Sequence, residues 1–161
     1  MKPAIIYTSY TGTTHNVAEQ VHKACGGDLI EVKSWDLMSR VFMYMARYSP
    51  DMHVRNDGIP PGTIDVSGYD LVVIGTPVWM GKPTPAILKT IAGLTGCSGK
   101  PVVIFATCGE DPGTTLAVLS HDLAAKGMII AGQFSLSQNE IGDGTVMEAL
   151  IGKIREPGSK A

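Results

Sequence analysis

Seven consecutive residues near the start of the chain, Thr8-Ser9-Tyr10-Thr11-Gly12-Thr13-Thr14, carry five Ser/Thr hydroxyls and one glycine, and His15 follows them. They lie between a short apolar run, Ala4-Ile5-Ile6, and a segment that sets Val17, Val21 and Ala24 or Cys25 along one helical face. A strand-to-helix junction offers free backbone N–H groups and the positive end of a helix dipole, and both favour an anion. Capping a helix takes one or two hydroxyls. Five with a glycine point to a phosphate cradle built from the hydroxyls of Ser9, Thr11, Thr13 and Thr14 and the N–H groups from Tyr10 to Thr14. The loop contains no Lys or Arg, so hydrogen bonds rather than a countercharge hold the phosphate. Neither GxGxxG nor GxxxxGK[ST] occurs, and a monophosphate suits the loop better than a dinucleotide or a triphosphate. His15 either adds charge to the phosphate or is simply solvated.

Two further stretches hold residues that a fold alone does not demand. Gly75-Thr76-Pro77-Val78-Trp79-Met80-Gly81-Lys82-Pro83 follows the most apolar run of the chain, and Pro77, Pro83 and Pro85 exclude regular structure until about Thr84. It sets an exposed Trp79 between Val78 and Met80 on a rigid loop. Thr107-Cys108-Gly109-Glu110-Asp111-Pro112-Gly113 is a Gly-rich acidic loop after another apolar run. Together the three loops can bind one phosphate and one flat aromatic system. Cys25 and Cys97 read as structural, and Cys108 as a small residue near the site.

The elements that position these loops follow from periodicity. Ile/Val-rich runs alternate with segments of helical period, the pattern of a buried parallel sheet with crossover helices. Strands are expected at Ala4–Thr8, Leu29–Val32, Leu71–Ile74, Val102–Ala106 and Met128–Gln133, the last ending at Gln133 or reaching Leu136. Asp28, Glu31 and Lys33 mark the second strand as half exposed and near a sheet edge. Helices are expected after each strand: the first stopped by Gly26-Gly27, a second over Trp35–Tyr48, a third burying Ile87, Leu88, Ile91 and Leu94. The fourth presents Leu116, Leu119 and Leu123 and ends at Lys126-Gly127, and the last buries Met147, Leu150, Ile151 and Ile154. Ser49 to Asp65 reads as a long loop.

At 161 residues the chain is one domain, residues 1–156, with a short tail over 157–161. A net charge of −2 argues against a nucleic-acid partner. No apolar run approaches the roughly 20 residues of a membrane helix, and no signal-peptide pattern opens the chain, so a soluble, cytoplasmic protein without membrane insertion is expected. Three cysteines without CxxC spacing suggest neither disulfide framework nor metal site.

Ser9-x-Thr11-Gly12-x-Thr14 resembles the phosphate loop of the flavodoxin family, short-chain type, and Gly75-Thr76-Pro77-Val78-Trp79-Met80-Gly81 resembles its flavin-stacking loop. The likeness covers nearly the whole chain. It implies a doubly wound α/β sheet of order 2-1-3-4-5 and non-covalently bound FMN. The implied cofactor shell is Ser9, Tyr10, Thr11, Gly12, Thr13 and Thr14 on the phosphate. Thr76, Pro77, Val78, Trp79, Met80 and Gly81 lie along the ring, with Trp79 stacked on it and the Met80–Gly81 peptide at its N5 edge. Thr107, Cys108, Gly109, Asp111 and Gly113 lie at the pyrimidine edge. Glu110 and Asp111, unless they only cap the next helix, add negative charge that resists full reduction. The phosphate, uncompensated by Lys or Arg, adds to it. The third loop lacks the aromatic that flavodoxins often place there, which leaves one ring face open unless Tyr10 or the Met43–Tyr48 segment covers it; that segment is either core or a docking surface. The implied activity is low-potential one-electron transfer between redox-partner proteins, a reductase or ferredoxin-linked donor and an acceptor, with no catalytic acid, base or nucleophile. An FMN-dependent NAD(P)H:quinone oxidoreductase is the enzymatic alternative. A flavin-free regulatory domain is disfavoured, because Asp and Glu are absent from Ala4 to Asn16.

Overall fold

The computed structural model describes residues 1–33, 41 and 59–159. The expected helix over Trp35–Tyr48, with its Met43–Tyr48 segment, and the loop from Ser49 to Gly58 lie outside these residues, apart from Val41. Five strands form one parallel sheet: β1 (Pro3–Tyr7), β2 (Asp28–Glu31), β4 (Leu71–Trp79), β7 (Pro101–Cys108) and β8 (Ile129–Ser137). They stand in the order β2-β1-β4-β7-β8, the expected doubly wound arrangement. Two short pairs add to it. β5 (Lys82–Pro83) folds back on β4, and β3 (Ile64–Asp65) pairs in parallel with β6 (Leu94–Thr95) in a separate two-stranded sheet. The helices are α1 (Thr13–Cys25), α2 (Pro85–Ala92), α3 (Thr115–Ala125), α4 (Gln138–Asp143) and α5 (Thr145–Arg155).

Period-2 alternation along the strands divides the core between the two faces of the sheet. Ala4, Ile6, Val72, Ile74, Val102 and Ile104 turn to one face with Ile87 and Ile91 of α2 and Leu119 and Leu123 of α3. Ile5, Tyr7, Leu71, Val73, Val103 and Phe105 turn to the other, with Val17 and Val21 of α1 and Leu150 and Ile154 of α5. At the centre, Gly75 opposes Phe105 across β4 and β7, and a Cβ at Gly75 would lie 2.2 Å from the Phe105 ring. The glycine makes room for the phenyl group.

Four expectations need correction. β4 runs through Pro77 to Trp79 instead of stopping at Ile74. β1 pairs with β4 only as far as Gly75, so at Pro77 the strand has a neighbour on one side, and a missing N–H is tolerated. Beyond it the chain forms a hairpin, not an irregular loop: Val78 pairs with Pro83 and Trp79 with Lys82 around a two-residue turn. Within the expected long loop, Ile59 bridges to Val32 and Ile64–Asp65 form β3. β2 is the sheet edge and half-buried along its length, as expected, but Lys33 just beyond it is 1% exposed and only 9% of the Glu31 side chain is accessible. Leu94, expected on α2, belongs to β6. After α5, Ser159 donates to the Glu156 carbonyl and accepts from Lys153, so a turn follows the helix.

Candidate functional site

The carboxyl ends of β1, β4, β7 and β8 surround a cleft of about 260 Å³. From the first loop it is lined by Ser9, Tyr10, Thr11, Thr13 and Thr14, from the second by Pro77, Val78 and Trp79, and from the third by Thr107, Cys108 and Gly109. Residues about 100 positions apart thus meet in one space, because parallel strands deliver all their carboxyl ends to the same side.

The remaining expected residues brace this cleft without lining it. Gly12, at φ 103°, is the N-cap of α1 and donates its N–H to Ser9 Oγ at 3.1 Å. The conformation suits glycine, and it turns the chain from β1 into the helix. Thr76 is buried; its hydroxyl donates to the Pro77 carbonyl at 2.9 Å and lies 3.2 Å from Thr84 Oγ1. Met80 and Gly81 form the hairpin turn with φ values of 51° and 74°, the signature of a type I′ turn, and Met80 is 87% exposed. Asp111 Oδ1 accepts the Gly113 N–H at 2.8 Å, a turn within the loop rather than a helix cap. Gly113 lies directly against Gly81, whose carbonyl accepts from the Thr114 N–H at 2.8 Å. The second and third loops are therefore clasped to each other at their outer ends. At the inner end Thr14 Oγ1 and Thr107 Oγ1, both buried, share a hydrogen bond of 2.7 Å that ties the first loop to the third.

The N-cap of α1 is Gly12, so no side chain caps the helix start, and the N–H groups of the first turn carry the positive end of the dipole. Of the loop hydroxyls, Ser9 Oγ accepts the Gly12 N–H and Thr14 Oγ1 pairs with Thr107, while Thr11 and Thr13 line the cleft. Trp79 is half-buried, its ring centroid 4.9 Å from that of Tyr10 at an interplanar angle of 45°. Tyr10, 2% exposed, forms part of the cleft wall.

His15 has a partner the sequence did not suggest. Its Nδ1 lies 2.6 Å from Tyr7 Oη, which donates to Glu31 Oε2 at 3.1 Å, while Glu31 Oε1 is 3.5 Å from Lys33 Nζ. The Lys33 ammonium in turn lies 5.7 Å from the Tyr10 ring centroid. A cation therefore stands behind the site although the loop itself has none. Strand alternation puts Leu29, Glu31 and Lys33 on one face, and Leu29 packs against the core on that side. Gln138, from the start of α4, also lines the cleft. It follows Ser137, which with Glu140 forms a capping box, a pattern visible as Ser-x-x-Glu. Hydrogen bonds from Ser137 hold the Glu140 carboxyl below its ordinary range. Burial first, and then the carboxylates of Glu140 and Asp111, push the Cys108 thiol up, so it stays protonated at neutral pH. Among the described residues no cluster of three His, Cys, Asp or Glu side chains is arranged to hold a metal.

The flavodoxin family model matches residues 2–127. The chain belongs to the flavodoxin family. Its fold is shared by a solved protein of Bacteroides eggerthii DSM 20697, 25% identical over 99% of each chain with a TM-score of 0.65. A flavoprotein of Lactobacillus acidophilus NCFM solved in complex with FMN is 21% identical over 88% of this chain and 97% of its own (TM-score 0.53). Two-electron reduced Megasphaera elsdenii flavodoxin is 16% identical over 94% and 99% (TM-score 0.55). No curated protein matches. For a member of the flavodoxin family the donor set fits a phosphorylated flavin: an uncapped helix start ringed by hydroxyls at one end of the cleft, and an indole along its wall. No helix among the described residues is long and apolar enough to cross a membrane.

Proposed function

We propose that the chain binds FMN non-covalently in this cleft and carries electrons singly, at low potential, between redox-partner proteins. The observation that carries this reading is the uncapped, hydroxyl-lined start of α1 opening into the same cleft as Trp79. Ser9, Thr11 and Thr13, with the N–H groups of the first turn of α1, would hold the phosphate. Trp79 would stack on the ring, and Thr107 to Gly109 would offer backbone donors to its polar edge. Bound FMN supplies the redox chemistry, and the protein positions it and excludes water. The FMN complex of the L. acidophilus relative supports the cofactor.

A visible spectrum of the purified protein and a fluorescence titration with FMN test the cofactor: absence of flavin absorbance together with absence of binding refutes it. Trp79→Ala should weaken FMN about 5- to 150-fold, the range of one aromatic stack. Slow NADPH oxidation supports the carrier, whereas rapid two-electron turnover of NADPH with a quinone replaces it by the reductase.

A further inference from the structure

Lys33 is buried to 1% exposure, and nothing in the cofactor shell accounts for it. A buried ion pair is weak evidence for stability, since apolar side chains of similar volume often replace one without loss. The backbone fixes where this ammonium goes. Lys33 N–H donates to the Ile59 carbonyl at 2.7 Å and Val32 N–H to the Tyr7 carbonyl at 2.8 Å, so β2 continues past Glu31 in register. The side chain then runs beneath Tyr10, whose far neighbour is Trp79 in the cleft wall. Glu31 is oriented from the other side. A carboxylate only accepts, so the Tyr7 hydroxyl proton points to Glu31, and the Tyr7 oxygen accepts from His15 Nδ1–H. Tyr7 and His15 thereby hold the negative end of the pair at β1 and α1, and the positive end faces Tyr10.

We propose that the Glu31–Lys33 pair is an oriented dipole behind the flavin wall, with Lys33 a positioning residue that supports the Tyr10–Trp79 stack and favours the more negative, reduced flavin. The proposal rests on the FMN reading above and adds to it a residue outside all three binding loops. A merely structural pair would affect both oxidation states of the ligand alike. An oriented one separates them, and with opposite sign according to which end is removed.

The test measures dissociation constants of oxidised and fully reduced FMN, anaerobically, for the wild type, Glu31→Gln and Glu31→Gln/Lys33→Met. Glu31→Gln keeps an acceptor for Tyr7 and leaves the cation, so the ratio of reduced to oxidised affinity should rise several-fold. Adding Lys33→Met should reverse the shift and carry the ratio about tenfold below that of Glu31→Gln. A tenfold change in that ratio moves the overall two-electron potential by about 30 mV. The urea midpoint of the double variant should stay at or above that of the wild type. Equal ratios in all three proteins, or shifts of the same sign in both variants, overturn the proposal while leaving FMN binding intact. Wild type that binds no FMN overturns the functional reading and this inference with it. If the double variant does not fold, the ratio in Glu31→Gln decides: a rise supports the dipole, and an unchanged or lower value refutes it.

Discussion

Replacing Gly113 by Ala strikes the clasp between the second and third loops. Gly113 sits at φ +58°, and an added Cβ would lie 2.4 Å from the Gly81 carbonyl oxygen and 2.5 Å from its Cα. Both contacts are backbone, so no side chain can rotate away. The loops must separate, which removes the bonds from Thr114 N–H and Oγ1 to Gly81 O at 2.8 and 3.2 Å. Each contributes about 1 kcal/mol net. The left-handed conformation costs a non-glycine residue about another 1 kcal/mol, and the stiffer unfolded chain returns about 0.5 kcal/mol. The expected loss is therefore about 2 to 3 kcal/mol in urea denaturation at an unchanged m-value, with weaker FMN binding, because Trp79 and Gly109 stand on opposite sides of the clasp. Gly109→Ala is the internal control, since its Cβ meets nothing within 4 Å in the same loop. A Gly113→Ala protein no less stable than Gly109→Ala refutes the reasoning.

Three other perturbations follow from the structure. Met80→Asn places a residue suited to positive φ in the type I′ turn and should raise the urea-derived stability by about 0.5 to 1 kcal/mol; a loss would show that Met80 is not strained. Tyr7→Phe removes the hydroxyl between His15 and Glu31 and should cost about 1.5 to 3 kcal/mol, the range for a hydrogen bond to a charged group, as measured by denaturant unfolding. Burial raises the thiols of Cys25, Cys97 and Cys108. The folded state therefore holds their protons longer than the unfolded state. Their contribution is complete below the ordinary thiol range and is lost as pH rises through it. Urea titrations from neutral to alkaline pH should show a decline that the triple Cys→Ala variant lacks in part.

Where one residue type dictates one role, the sequence could be read directly. The apolar runs place all five sheet strands, and the hydroxyl cluster places the first loop, because burial and helix-start chemistry are local properties. Pro77 misled, since whether a missing N–H matters depends on how far the neighbouring strand extends, and β1 ends at Tyr7. Lys33 misled for a related reason. A lysine on an edge strand is ordinarily solvated, and here Glu31, Tyr7 and Tyr10 converge near its ammonium from two strands and a loop, contacts far apart in sequence. Gln138 enters the cleft only because β8 continues to Ser137, beyond the apolar run that announced it.

The edge of the sheet is also guarded. Lys33 N–H donates to Ile59 O and Ile59 N–H to Glu31 O, at 2.7 and 2.9 Å, so a donor and an acceptor of the edge are both taken at this point. An open strand edge is a template for pairing with another chain, and Ile59 withdraws that template where β2 ends.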